Sequence, residues 1–374
     1  MHPDVVVIGA GIVGAACAAA LAEAGLAVTV LERGPIVAGT SGAGEGNLLV
    51  SDKEPGPELD LALLSYRLWG ALEPALAERI ELADKGGLVV ASTPDELAAL
   101  GRLAAAQRAA GVDAVAVDDL AGYEPHLAPG LAGGVFYPQD RQVQPMLAAA
   151  HLLRSARVRP HTPVTGLLRG RDGRLTGVRT PSGDLAAGAV VNAAGVWAGE
   201  VAALAGVSLP VLPRRGFVLV TVPVGTLVRH KVYAAGYVAD VASDAADLQT
   251  SPVVEGTPAG TILIGASRER VGFDREVSLP VLRRLAAQAV ALFPVLARVP
   301  ALRAYRGFRP YCPDHLPVIG PDPRAPGLYH ACGHEGAGIG LAPATGRLIA
   351  QQVTGAEPDL DPYPFRPDRF AAAA

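Results

Sequence analysis

Sulfur and surplus positive charge are both scarce in this chain. Only three cysteines, Cys17, Cys312 and Cys332, occur in 374 residues. They lie far apart with no C-x-x-C pair, which excludes a disulfide framework and offers no iron–sulfur or zinc ligand set. A reducing cytoplasm is the natural compartment for such a chain. The eight histidines suggest no metal site either. A net charge of −4 and a pI near 6.1 leave no basic footprint for nucleic acid or an anionic membrane. Long apolar runs are also missing, apart from Val5 to Leu31, whose only charged residue is Glu23. Glycines interrupt that run and Met1-His2-Pro3-Asp4 gives it no basic flank, so it suits neither a membrane span nor a signal peptide. What the chain has instead is alanine and valine, within a hydrophobic fraction of 50%. A well-buried interior follows, in a chain too long for one core, so two domains are expected.

The apolar run has the grammar of a βαβ unit. Val5 to Ile8 reads as a buried strand, Gly9, Gly11 and Gly14 fall at G-x-G-x-x-G spacing, Ala15 to Ala24 as a helix, and Ala27 to Leu31 as a second strand. In such a unit the first glycine makes the turn, the second lets backbone approach a pyrophosphate, and the third packs helix on strand. Phosphate is favoured there by the free N–H groups and dipole of the helix N-terminus. Glu32 ends the second strand where an acid takes the hydroxyls of an adenosine ribose. This is a dinucleotide site, with NAD and FAD both open.

Further along, Thr40 to Asn47 is a loop of small and hydroxyl residues suited to the same cofactor. Leu61, Leu64, Leu68, Trp69 and Leu72 mark a packing face of a helix. VVNAAGVWAG, Val190 to Gly199, runs a strand into a small-residue turn. Phe217 to Val222 and Thr261 to Gly265 read as strands, and Tyr233 and Tyr237 fall in a Gly- and Ala-rich stretch suited to a lid or sheet edge. In Arg306 to Gly320, prolines imply a stiffened loop that would hold Arg306 and Arg309 as a carboxylate clamp. Gly333 to Gly340, GHEGAGIG, precedes a helix ending at Gly355, so a second glycine-rich turn at a helix N-terminus closes the chain.

Taken together, GAGIVG, Glu32, VVNAAGVWAG, GFRP at Gly307 to Pro310, LPVIG at Leu316 to Gly320 and GHEGAGIG resemble the glutathione-reductase-type flavoproteins of the D-amino-acid oxidase, glycine oxidase and sarcosine oxidase superfamily. GHEGAGIGLAPATG and LQTSPVVEG at Leu248 to Gly256 look most like the flavin subunits of hydroxyproline, proline and opine dehydrogenases. The resemblance implies an α/β fold: an FAD-binding Rossmann domain with an inserted α+β substrate domain on a mixed sheet. It places the FAD domain at 1–80, 143–215 and 303–374 and the substrate domain at 81–142 and 216–302. It puts Gly9, Gly11, Ile12, Val13 and Gly14 at the pyrophosphate, and Glu32 and Arg33 at the ribose. Thr40, Ser41, Asn47, Val164, Ala194, Gly195 and Trp197 would line the cofactor. Gly307, His334, Glu335, Gly336, Ala337, Gly338 and Ile339 would lie near the flavin, and Arg309 matches the arginine that pairs with the substrate carboxylate.

Three departures refine this. Members with cysteine-linked flavin place the cysteine six residues before a Pro-Asp pair, where this chain has Gly307; no histidine between Arg33 and Pro125 matches the histidine-linked members. Noncovalent FAD is expected. Where oxygen-activating relatives carry a lysine near the end of a strand, the strand Thr261 to Gly265 has Leu263. The implied activity is therefore oxidation of an amino or imino acid at its C–N bond by hydride transfer to flavin, as a dehydrogenase using another acceptor. Partner subunits with an iron–sulfur centre or a second flavin fit that role. An oxygen-using oxidase and a non-catalytic electron-transfer subunit are the alternatives. Arg309, with Arg306, would hold the carboxylate; Tyr233, Tyr237 and His334 would orient the amine or tune its protonation.

Overall fold

The computed structural model describes residues 2–241 and 243–370. Its first sheet is built on the opening strand. Val5–Ile8 is buried at all four positions, as a parallel strand covered on both faces must be. It pairs in parallel with Val28–Leu31 on one side and Ala189–Asn192 on the other. Arg157–Arg159 extends the sheet beyond Val28–Leu31. Leu328–Cys332 and then the antiparallel Val318–Pro321 extend it beyond Ala189–Asn192, giving six strands. The glycine turn thus leaves the middle of the sheet at the carboxyl end of its strand, where open α/β sheets bind ligands.

The helix Ile12–Glu23 follows directly and is crossed at close range by Gly338–Thr354, where a side chain on Gly346 would run into the Ala16 carbonyl. The long helix ends on Gly355 at φ +74°, the left-handed cap that glycine adopts without penalty. A small antiparallel sheet of Gly166–Arg169, Leu175–Thr180 and Gly183–Ala186 covers one flank.

The second large sheet has eight strands in the order Ala301–Tyr311, Leu212–Thr221, Ile262–Arg268, Gln249–Gly256, Lys231–Ala234, Gly87–Ala91, Gly133–Tyr137 and Val115–Val117. It is mixed, because Lys231–Ala234 and Gly87–Ala91 run parallel while their other neighbours are antiparallel. The amphipathic helix Leu279–Leu292 packs Val281, Leu285, Ala289 and Leu292 against Phe217, Leu219, Ile262 and Ile264. Because successive strand residues point to opposite faces, Arg214, Gly216 and Val218 look the other way, toward the first sheet.

Three sequence expectations change here. The proline-stiffened loop around Arg306 and Arg309 is instead the 11-residue strand Ala301–Tyr311. Pro310 is tolerated because this is an edge strand, where a missing N–H breaks no ladder. That strand pairs with its neighbour from Leu212↔Tyr311 to Thr221↔Ala301, so the expected boundaries at 215/216 and 302/303 fall inside one ladder. Tyr233 stands in an interior strand, and Tyr237 in the short helix Gly236–Val241 beside it. Among the described residues no helix is long and apolar enough to cross a membrane.

Candidate functional site

A cavity of about 470 Å³ lies where the two sheets meet. Gly9, at φ +110°, begins its floor, and a side chain there would strike the Ala193 carbonyl. Gly14 backs onto the carbonyl of Gly9, so its place is in helix packing and outside the lining, while Gly11, Ile12 and Val13 face the cavity. The Ile12 N–H donates to Ser41 Oγ at 3.0 Å, and Thr40 Oγ1 donates to the Phe308 carbonyl at 2.6 Å. The small-residue loop is thereby tied to both sheets. Glu32 accepts the Ala10 N–H on Oε2 at 3.0 Å and the Gly34 N–H on Oε1 at 2.9 Å. One bond per oxygen leaves lone pairs on both to accept hydroxyls. Arg33 lies 3.8 Å over the ring of Trp197, which stacks on Phe273 at a centroid distance of 5.6 Å. Val164, Ala194 and Gly195 complete this end.

The Leu328–Cys332 strand delivers the second glycine-rich turn to the same edge. Gly336, Gly338 and Ile339 line the cavity, so the N-termini of Ile12–Glu23 and Gly338–Thr354 open into one space from opposite ends of the chain. His334, 4% exposed, pairs through Nε2 with Thr345 Oγ1 at 2.9 Å. The Thr345 hydroxyl is donated to the Leu341 carbonyl at 2.9 Å, so Nε2 carries the proton and Nδ1 is the acceptor. Burial pulls the His334 imidazole down to about 3, leaving it neutral. Cys332, a lining residue, is a thiol at neutral pH because burial pushes it up to about 12.

A second cavity of about 250 Å³ adjoins the first, sharing Asn47, Tyr237, Arg309, Glu335 and Gly336 with it. Arg309 therefore stands at the junction. Its Nη1 donates to the Ser267 carbonyl at 2.8 Å, and no carboxylate among the described residues pairs with it. Burial first, then the neighbouring Arg268 and Arg214, lower its pKa, yet a guanidinium stays charged in proteins. Arg214, 1% exposed and directly across the ladder from Arg309, pairs with Glu335 Oε2 at 3.2 Å. Glu335 Oε1 holds His315 Nδ1 at 2.8 Å, the main reason the His315 pKa is raised.

Not every expected residue meets here. Arg306 is three positions from Arg309, an odd separation, so the pleat turns it to the opposite face, into a groove of about 1030 Å³ that borders the cofactor cavity along the loop from Val37 to Glu45. Tyr233 is fully buried outside both cavities, its hydroxyl donated to Ser51 Oγ, which in turn donates to Asp140. Only Tyr237, in edge contact with it at 5.1 Å, reaches both cavities. Ala337 lines the second cavity instead of the first. His330 and His334 do stand at H-x-x-x-H spacing, which the sequence reading passed over. In the middle of a strand and in the turn after it they are spent separately, His330 on Asp322 and Asn192 and His334 on Thr345. No cluster of three metal-ligating side chains exists among the described residues.

Arg268, from the stretch Arg268 to Arg270 that the sequence offers for side-chain specificity, lines the second cavity, while sequence reading missed Gly216, which lets Arg309 lie across its strand: a side chain at Gly216 would collide with Arg309 Nη1 and the Ser267 carbonyl. The parity of Arg214, Gly216 and Val218 was the available signal, and it needed the strand to start at Leu212 instead of Phe217.

FAD fits these residues. Two helix N-termini offer N–H groups to a pyrophosphate at one end and to an electron-rich ring edge at the other, and Glu32 keeps acceptor capacity for a ribose. The first sheet and the mixed second sheet have the architecture expected of an FAD domain with a substrate domain.

Comparisons with known proteins agree. The glycine oxidase of Pseudomonas putida is 33% identical, with 98% of this chain and 99% of that protein covered. Hydrogen cyanide synthase subunit HcnC of Pseudomonas aeruginosa is also 33% identical, covering 84% of this chain and 75% of that protein. The crystal structure of glycine oxidase from Geobacillus kaustophilus superposes with a TM-score of 0.88 at 31% identity, over 99% of each chain. The family described as FAD dependent oxidoreductase matches residues 4–352, and the chain belongs to that FAD-dependent oxidoreductase family.

Proposed function

We propose that this enzyme oxidises the carbon–nitrogen bond of an amino or imino acid whose carboxylate is held by Arg309. The observation that carries this reading is the placement of Arg309: a half-buried guanidinium without a carboxylate partner among the described residues, at the junction of the cofactor cavity and a second, smaller one. Bound FAD supplies the two-electron acceptor. Arg309, fixed by the Ser267 carbonyl, offers its remaining N–H groups to the carboxylate as a charge-assisted fork. Tyr237 walls both cavities and excludes water from the side of the substrate sheet. His334 is neutral and keeps an acceptor at Nδ1. The N-terminus of Gly338–Thr354 supplies positive potential where negative charge develops. The glycine oxidase relatives support an amino acid as the substrate class.

For the electron acceptor, the strand Ile262–Arg268 runs on past Gly265, where the sequence would end it, but carries no lysine, which supports a dehydrogenase that hands electrons to another acceptor, including a partner subunit carrying an iron–sulfur centre or second flavin. The relative named as a synthase subunit supports the same reading. The relatives named glycine oxidase support the second one, reoxidation by dioxygen with release of hydrogen peroxide. The three free, buried thiols support a cytoplasmic location, which cell fractionation checks.

Anaerobic mixing of the FAD-loaded protein with a panel of D-, L- and cyclic amino acids tests the proposal. Bleaching of the flavin band is expected with at least one of them, and none at all would leave only an electron-carrying role. Admission of air then separates fast reoxidation by dioxygen from slow reoxidation by a dehydrogenase. Arg309→Lys, which keeps the charge and loses the fork, should raise the substrate concentration needed for half-maximal bleaching.

A further inference from the structure

The second cavity holds a second arginine beside Arg309. Arg268 ends the Ile262–Arg268 strand, is 5% exposed, and rests with its guanidinium 4.9 Å from the ring centroid of Tyr237. It has no hydrogen bond or ion pair from its guanidinium to any described residue. A buried charge without a partner is costly to keep, and this one is aimed into a cavity beside Arg309.

The other charged groups of that cavity are spent elsewhere. Lys53 pairs with Asp52 at 2.7 Å, and Arg214 with Glu335 at 3.2 Å. Glu54 is exposed, and Glu58 lies among Lys53, Asp52, Glu335 and His315. Around Arg309 the charged neighbours include Arg268, Arg214 with its partner Glu335, and Glu45, which belongs to the cofactor cavity and accepts the Asn47 side-chain amide at 3.0 Å. The Arg309 fork can hold one carboxylate by itself, with a bond to each oxygen, so Arg268 is not needed for that carboxylate and is available for another.

We propose that Arg268 is a second anion site, and that the substrate is an amino or imino acid carrying a second carboxylate beyond the one held by Arg309. This rests on the reading of Arg309 given above. The second carboxylate can belong to the side chain of an acidic amino acid or to an N-carboxyalkyl group. Either would pair with Arg268 on the wall that carries Tyr237.

Glutarate and butyrate test this without turnover, since neither has a C–N bond. Calorimetric titration of the FAD-loaded enzyme should show glutarate binding about 10- to 100-fold more tightly than butyrate, the increment of one further charge-assisted pair. Arg268→Met should bring glutarate down to the butyrate level, and Arg268→Lys should restore part of the difference. The visible flavin spectrum and melting temperature of each variant report that it is folded. Equal affinities for the two acids in the parent would overturn the second site while leaving Arg309 in place. So would an Arg268→Met variant that weakens both acids alike, because the two arginines would then share one carboxylate. Failure of both acids to bind would remove this site and the Arg309 reading together. Anaerobic bleaching by iminodiacetate or by glutamate then distinguishes the N-linked from the side-chain source, and bleaching by glycine but by neither of these would also overturn the proposal.

Discussion

Gly216→Ala is the smallest change that should disable the carboxylate clamp. The new methyl group would collide with Arg309 Nη1 on one side and lie 2.5 Å from the Ser267 carbonyl on the other. The carbonyl is backbone in a sheet interior, held by the Thr250↔Ser267 pairing and the Arg215↔Glu269 bridge that flanks it. The displacement therefore falls on the Arg309 side chain, which loses its 2.8 Å bond to that carbonyl. A charge-assisted bond of this kind contributes about 1.5–3 kcal/mol, and a shift of about 1 Å in a positioning group costs about 10²-fold in rate. The apparent dissociation constant in anaerobic stopped-flow reduction should rise about 10- to 100-fold. The melting temperature should fall modestly, as for an overpacking cost of about 1–3 kcal/mol. In the Arg309→Lys background the same alanine should add little, since both changes act through one guanidinium. A soluble, FAD-loaded Gly216→Ala enzyme with parental affinity for substrate and butyrate would refute the reasoning.

Tyr233→Phe should lower the melting temperature by removing a buried hydroxyl bonded to Ser51, a loss of about 1–2 kcal/mol, while kcat/KM is unchanged; a large loss of turnover with intact stability would return Tyr233 to the site. His334 is neutral in the fold and titrates near 3, against an ordinary value of 6.5. The unfolded chain therefore binds the extra proton between those values, and stability falls as pH drops through that window. His334→Asn should flatten that slope in denaturant titrations, and an unaltered slope would contradict the assignment. Glu32→Ala strips the Ala10 and Gly34 N–H groups of their acceptor, so reconstituted apoprotein should bind FAD at least tenfold more weakly, about 1.4 kcal/mol, by fluorescence titration. Acid precipitation should leave the flavin in the supernatant; colour in the pellet would show a covalent link.

Local signals were enough for the opening βαβ unit. Spacing of glycines, a β-branched run and an acid at the strand end are short-range properties, and Val5–Ile8, Ile12–Glu23 and Val28–Leu31 fall where they point. Arg309 and the turn before the last helix were legible for the same reason, each being carried by a contiguous motif. Prolines misled the reading at Arg306 to Tyr311, because their tolerance depends on a strand being at a sheet edge, which is a property of the whole sheet.

By itself, then, the amino-acid order determined where a dinucleotide turn could form and singled out the arginine proposed to meet a carboxylate. Only the tertiary structure decided which side chains share the site. Arg306 and Tyr233 leave it, and Gly216, Arg214 and Arg268 enter it, because strand parity and cross-strand register set the direction of each residue. Those registers join segments some fifty to a hundred residues apart, as in Arg214↔Arg309 and Arg215↔Glu269. The two helix N-termini converge for a like reason: Leu328–Cys332 pairs beside Ala189–Asn192, which pairs beside Val5–Ile8, and that order of strands brings the two ends of the chain into one cavity.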